Sequence, residues 1–73
     1  MKMRKKKTMK LVYENHYAAE VDVELLYTDD EWSPYLSLAD ANKLDTVRLA
    51  LRKGDLHFAA NLARIFQLVP LAA

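Results

Sequence analysis

The sequence predicts an α+β fold: a small antiparallel sheet, with one or two N-terminal strands and a short C-terminal strand, packed on a helical hairpin. Three observations carry this expectation. From Tyr17 to Tyr27 the chain alternates, with Ala19, Val21, Val23, Leu25 and Tyr27 on one side and Glu20, Asp22, Glu24 and Leu26 on the other. That period of two is the mark of a half-buried strand. From Ser37 onward, Leu38, Ala41, Leu44, Val47 and Leu51 recur at helical spacing and form an apolar stripe. The single glycine, Gly54, then falls between two helical stretches, where a left-handed residue ends one helix and frees the chain to start the next.

Each element follows in order. Met9 to Glu14 is a short mixed apolar stretch and a strand candidate, and Asn15-His16 reads as a turn or a break. Thr28-Asp29-Asp30-Glu31 ends the second strand, because Asp disfavours strands and favours turns. Pro34 pushes Ser33 to an extended backbone. Trp32 and Tyr35 beside it either plug the edge of the core or form a recognition surface, since Trp and Tyr dominate binding hot spots. Ser37 is an N-cap with Asp40 at the third helical position, a weakened capping box. Asp45 is a candidate cap within 38–53, which reads as one helix or as a short turn followed by a longer helix. Arg52 and Lys53 suit the negative end of the helix dipole. Asp55 caps a second helix, Leu56 to about Phe66, with Leu56, Ala59, Ala60 and Ala63 on one side and Phe58, Leu62 and Ile65 on the next. The nearly apolar end from Phe66 to Ala73 supplies a final strand of about four residues, which Pro70 confines to a sheet edge.

Seventy-three residues with 52% hydrophobic side chains, one Gly and two Pro make one small domain and exclude a disordered or low-complexity chain. No apolar run reaches the ~20 residues that span a bilayer, and the absence of Cys removes disulfides and thiolate metal sites. The net charge of +1 hides an asymmetry. Lys2, Arg4, Lys5, Lys6, Lys7 and Lys10 give the first ten residues +6. Glu14, Glu20, Asp22, Glu24, Asp29, Asp30 and Glu31 give the next twenty-one −7. The expected organisation is a disordered basic arm over 1–8 and a single domain over 9–73. Met9 is a second candidate start, and from there the net charge is −4.

Little in the chain points to catalysis. His16 and His57 lie 41 positions apart, without the clustering that a metal site needs. Glu20, Asp22 and Glu24 are spaced by about 7 Å per step on one strand face, but a carboxylate pair also needs a cleft and unequal environments. One glycine cannot build a phosphate-binding loop. The expectation is therefore a non-enzymatic protein without cofactor or metal. Aligning Gly54 with the turn of a helix-turn-helix places Leu49 and Ala50 suitably, yet Lys53 and Asp55 flank the glycine where apolar chains would pack. The reading helix would offer His57, Asn61 and Arg64, a thin set for bases and phosphates. A plain helical hairpin explains the same residues. Together with Lys5, Lys6 and Lys7, these three make up the nucleic-acid alternative.

The run Trp32-Ser33-Pro34-Tyr35-Leu36-Ser37, followed by Lys43-Leu44, Val47-Arg48, Ala50-Leu51-Arg52, Gly54-Asp55-Leu56, Ala59-Ala60 and Ala63-Arg64-Ile65-Phe66, resembles a set of short uncharacterised prokaryotic proteins. Some of these are labelled as probable antitoxin components, and the likeness covers roughly residues 11–70. It implies a cytoplasmic protein that partners a small toxin. On this reading Glu20, Asp22, Glu24, Asp29, Asp30, Trp32 and Tyr35 meet a small basic protein, with the acidic face steering it. The alternatives are a DNA- or RNA-binding regulator, using the basic arm and the hairpin, and a structural homo-oligomer. A homodimer is expected in any case, because the core is small and Leu68, Val69 and Leu71 lack evident cover.

Overall fold

A computed structural model of the chain describes residues 3–28 and 34–72. The expected α+β class holds, with a four-stranded antiparallel sheet and two helices. The elements run β1 (Met3–Glu14), β2 (Tyr17–Thr28), β3 (Tyr35–Leu36), α1 (Leu38–Lys53), α2 (Leu56–Ala60) and β4 (Arg64–Gln67). β2 is central. It pairs with β1 along its whole length and, on its other side, with β3 at Leu25–Leu26 and with β4 from Tyr17 to Glu20. Both helices lie on one face of the sheet, and none is long and apolar enough to cross a membrane.

The β1–β2 hairpin turns through Asn15 and His16, as the sequence predicts. Asn15 takes the left-handed φ of 55°, which Asn tolerates better than most residues. Its side-chain amide donates to the carbonyls of Leu51 (3.3 Å), which also accepts from Gly54 N–H, and of Arg52 (3.5 Å) at the end of α1. Beside it, Arg52 pairs with Glu14 at 3.0 Å. The turn is thus tied to the far end of the first helix. Its register, Val12 against Ala19 and Thr8 against Val23, sends Val12, Ala19, Val21 and Val23 to the helix side, where they are buried with Val47, Ala50, Leu51 and Ala59. The core is built of Val and Ala around one fully buried Leu, so α1 sits close to the sheet.

α1 is one helix, capped as expected by Ser37, whose Oγ accepts from Asp40 N–H at 3.1 Å. The reciprocal half of the capping box is not made. The Asp40 carboxylate turns instead to the sheet and accepts from Glu24 N–H at 2.8 Å. Asp45 caps nothing and pairs with Arg48 one turn on (3.6 Å). Leu38 opens the predicted stripe but is exposed, because the buried positions gather at the other end, at Val47, Ala50 and Leu51. Gly54 has φ 78°, its N–H reaches Leu51 O, and Asp55 N–H reaches Ala50 O, the pair of bonds that closes a Schellman cap.

Three expectations change. Residues 3–8, expected as a disordered arm, form the first half of β1 and pair with 23–28. The basic side chains alternate across the sheet, so their charge does not interrupt the backbone ladder and Val23, Leu25 and Tyr27 supply a template. The second helix is five residues rather than a run to Phe66. Its cap is the expected Asp55 (Phe58 N–H, 3.3 Å), but the chain turns at Asn61–Leu62, and Ile65 and Phe66 pair in a strand with Ala19 and Ala18. The final strand accordingly starts at Arg64, two residues earlier than the sequence suggests, and β3 is a short addition that Pro34 and Tyr35 did not announce.

Two substitutions test this arrangement. A Cβ at Gly54 meets nothing within 4 Å, so Gly54→Ala carries only the left-handed backbone penalty, about 1–2 kcal/mol. Leu51→Ala removes the largest fully buried side chain and costs about 2–5 kcal/mol. Urea unfolding checks both, and the second midpoint falls further than the first.

Candidate protein-binding face

Opposite the helices no described element covers the sheet. Alternation places Met9, Leu11 and Tyr13 of β1 on that face, across from Asp22, Glu20 and Ala18, with Phe66 and Arg64 of β4 on the far side. Four large apolar side chains stay about half exposed: Met9 at 52%, Leu11 at 54%, Tyr13 at 59% and Phe66 at 48%. Tyr13 and Phe66 flank Ala18, which is buried on this otherwise open side. Neighbouring exposed apolar side chains of this kind make the face a candidate interaction site.

Glu20, Asp22 and Glu24 lie on the same face, as the strand's alternation predicts. They do not form a bare acidic row. Arg64 forks between two of them, with Nε on Glu20 and Nη2 on Asp22, both at 3.0 Å. The same Nη2 donates to the Met9 thioether at 2.9 Å, and Lys7 stands across from Glu24. Arg64, through its hydrogen bond and then its charge, holds the Asp22 carboxyl below the usual carboxylate range, with Lys43 and Lys7 adding smaller pulls. The guanidinium is in turn raised, first by its hydrogen bonds to Asp22 and Glu20. Three carboxylates and the cations Lys5, Lys7 and Arg64 thus share the face, and their charges balance.

The rim beside Asp22 has its own construction. Between β3 and β4 no strand covers β2, and the backbone of Asp22 and Glu24 faces an open edge. Two side chains of α1 fill it: Lys43 Nζ donates to Asp22 O at 2.9 Å, and Asp40 accepts from Glu24 N–H. The resulting notch, about 530 Å³, is lined by Lys7, Met9, Asp22, Glu24, Asp40 and Lys43. Of its charged groups, Asp22, Asp40 and Lys43 are engaged with Arg64 or with backbone, and among the described residues no group of three His, Asp or Glu is placed to hold a metal ion.

Of the other residues singled out in the sequence, Tyr35 lies in β3, 41% exposed, across from Leu26 on this same face. Asp29, Asp30 and Trp32 lie outside the described residues. The nucleic-acid set is not brought together. His57 and Asn61 are on or next to α2 on the helix side. Arg64 begins β4 on the open face and is occupied by carboxylates. Lys7 pairs at Glu24, four residues along β2 from the partner of Arg64, or roughly 13 Å. Sequence reasoning missed Arg64 as the hub of the face, since its partners stand 42 and 44 positions away.

The chain matches no protein-family model, no curated protein and no solved structure.

Replacing Arg64 tests the electrostatics. Asp22 is depressed when folded, so its contribution to stability is complete above its ordinary value of 3.8 and is lost as pH falls through the lowered folded value. In Arg64→Gln the Asp22 carboxyl, followed by carbon NMR, titrates closer to 3.8, so the variant is less stable above that pH and the Asp22 part of the stability loss on acidification shrinks.

Proposed function

We propose that this protein is a non-catalytic binding module whose working surface is the open face of the sheet, used in the manner of an antitoxin to cover a small basic protein. The observation that carries the reading is the apolar quartet Met9, Leu11, Tyr13 and Phe66 set around Glu20, Asp22 and Glu24. Magnitudes bear on the partner's chemistry. Fully burying such a side chain is worth about 1.5–3 kcal/mol, so four that are already half covered offer roughly 4 kcal/mol more. Association costs about 4–15 kcal/mol in lost freedom. Apolar contact alone therefore falls short, and the partner must also engage the carboxylates. A basic partner does so by displacing or sharing Arg64.

A homodimer has separate support. Among the described residues β1 is an edge strand with no strand on its outer side, and its second half, Met9 to Tyr13, carries only Lys10 as an edge-blocking charge. Antiparallel pairing of two copies there would join their apolar faces into one.

The test is capture by the tagged protein, with the bound protein identified by mass spectrometry. The expected result is a small basic protein retained by the wild type and lost by Leu11→Ser/Phe66→Ser. Changing Glu20, Asp22 and Glu24 together to Ser weakens capture most at low salt. Equal capture by the folded apolar variant would overturn the reading. In sedimentation at about 100 μM, where micromolar pairing shows, the wild type runs as a dimer and Leu11→Lys as a monomer.

A further inference from the structure

We infer that the basic end of β1 is a docking edge for the major groove of a DNA duplex. α1 reaches along the sheet only as far as Glu24, where Asp40 meets the backbone. Beyond that point β1 and β2 continue as a ribbon, residues 3–7 against 24–28, with β3 beside β2 and no described strand outside β1. Four consecutive cations, Arg4, Lys5, Lys6 and Lys7, occupy that outer strand and are all exposed. Among the described residues Lys5, Lys6 and Lys7 take part in no ion pair.

Edge protection alone accounts for one or two lysines on a free strand, not for four in a row. Their placement is more informative than their number. Alternation divides them evenly, Arg4 and Lys6 on the helix-side face with Tyr27 and Leu25, Lys5 and Lys7 on the other with Leu26 and Glu24. A planar anionic surface meets one face of a ribbon, and half the cations would be turned away from it. A groove has two phosphate walls and meets both faces at once. A single sheet layer is about 10 Å deep, judged from the spacing at which sheets stack, and the major groove of B-form DNA is about 12 Å wide. The A-form groove of duplex RNA is too narrow and deep for it. Half-buried Tyr27, beside Arg4, and exposed Tyr35, beside Leu26, add one aromatic ring near each face. Contacts of this kind are to phosphates, so the binding is insensitive to sequence and steeply dependent on salt.

The experiment is fluorescence anisotropy of the full chain with a labelled DNA duplex of about 20 base pairs, at about 50 and 200 mM salt. Four phosphate contacts give a logarithmic slope near −3.6, so affinity falls by about 150-fold between the two salts. Lys5→Thr/Lys6→Thr/Lys7→Thr keeps strand-forming residues in place and leaves one contact, with weaker binding at low salt and only about a 3- to 4-fold salt effect. Urea unfolding of the variant establishes that it is folded. Leu11→Ser/Phe66→Ser, which removes the protein-binding face, binds the duplex as the wild type does. Absence of duplex binding at low salt, an unchanged salt slope in the folded triple variant, equal affinity for duplex RNA, or stronger binding to anionic phospholipid vesicles would each overturn the assignment.

Discussion

The turn at Asn15 and His16 sets the register of a hairpin of two twelve-residue strands, and that register decides which face of the sheet every β1 and β2 side chain occupies. Because strand side chains alternate, a slip of one residue in β1 would turn Val12 outward and bring Leu11 and Tyr13 under the helices. The register is held at both ends of α1. At its C-terminus, Asn15 and Glu14 engage the last carbonyls and Arg52. Near its N-terminus, Asp40 and Lys43 bond to the backbone of Glu24 and Asp22. A helix of sixteen residues is thereby clamped along the hairpin at two separated points.

The clamp compensates for a weak core. Val, Ala and one fully buried Leu fill the space between α1 and the sheet, and a domain of this size buries only about 60% of its unfolded surface. Polar contacts between helix ends and strand edges therefore carry more of the specificity than they would in a larger protein. They also leave the second face uncovered. With both helices on one side, nothing remains in the described chain to cover Met9, Leu11, Tyr13 and Phe66, and the fold presents a surface suited to a partner.

Local signals in the sequence specify those parts of the structure that are themselves local. Alternation from 17 to 27 placed β2 and its outward carboxylates, Ser37 and Gly54 bounded α1, and Asp55 opened α2. Features that depend on distant residues were not legible. The lysines of 3–8 look like a solvated arm until Leu25 and Tyr27 pair with them. Ile65 and Phe66 look helical until Ala18 and Ala19 give them a strand to join. Arg64, assigned to a DNA-reading helix, is drawn to Glu20 and Asp22 by that same pairing, which turns an acidic row into a balanced patch. No pattern along the chain encodes a contact over more than forty residues.

The register itself can be measured directly. The backbone of Asp22 and Glu24 faces α1 and not β1, so Met9–Asp22 and Lys7–Glu24 are non-hydrogen-bonded pairs, with Cα atoms about 4.5 Å apart. Strong nuclear Overhauser effects between Hα protons are predicted for Met9 with Asp22, Leu11 with Glu20 and Tyr13 with Ala18. Contacts of Lys10 with Asp22 and Val12 with Glu20 in their place would mean a slipped hairpin, with the apolar quartet broken up and the open face lost as the proposed binding surface.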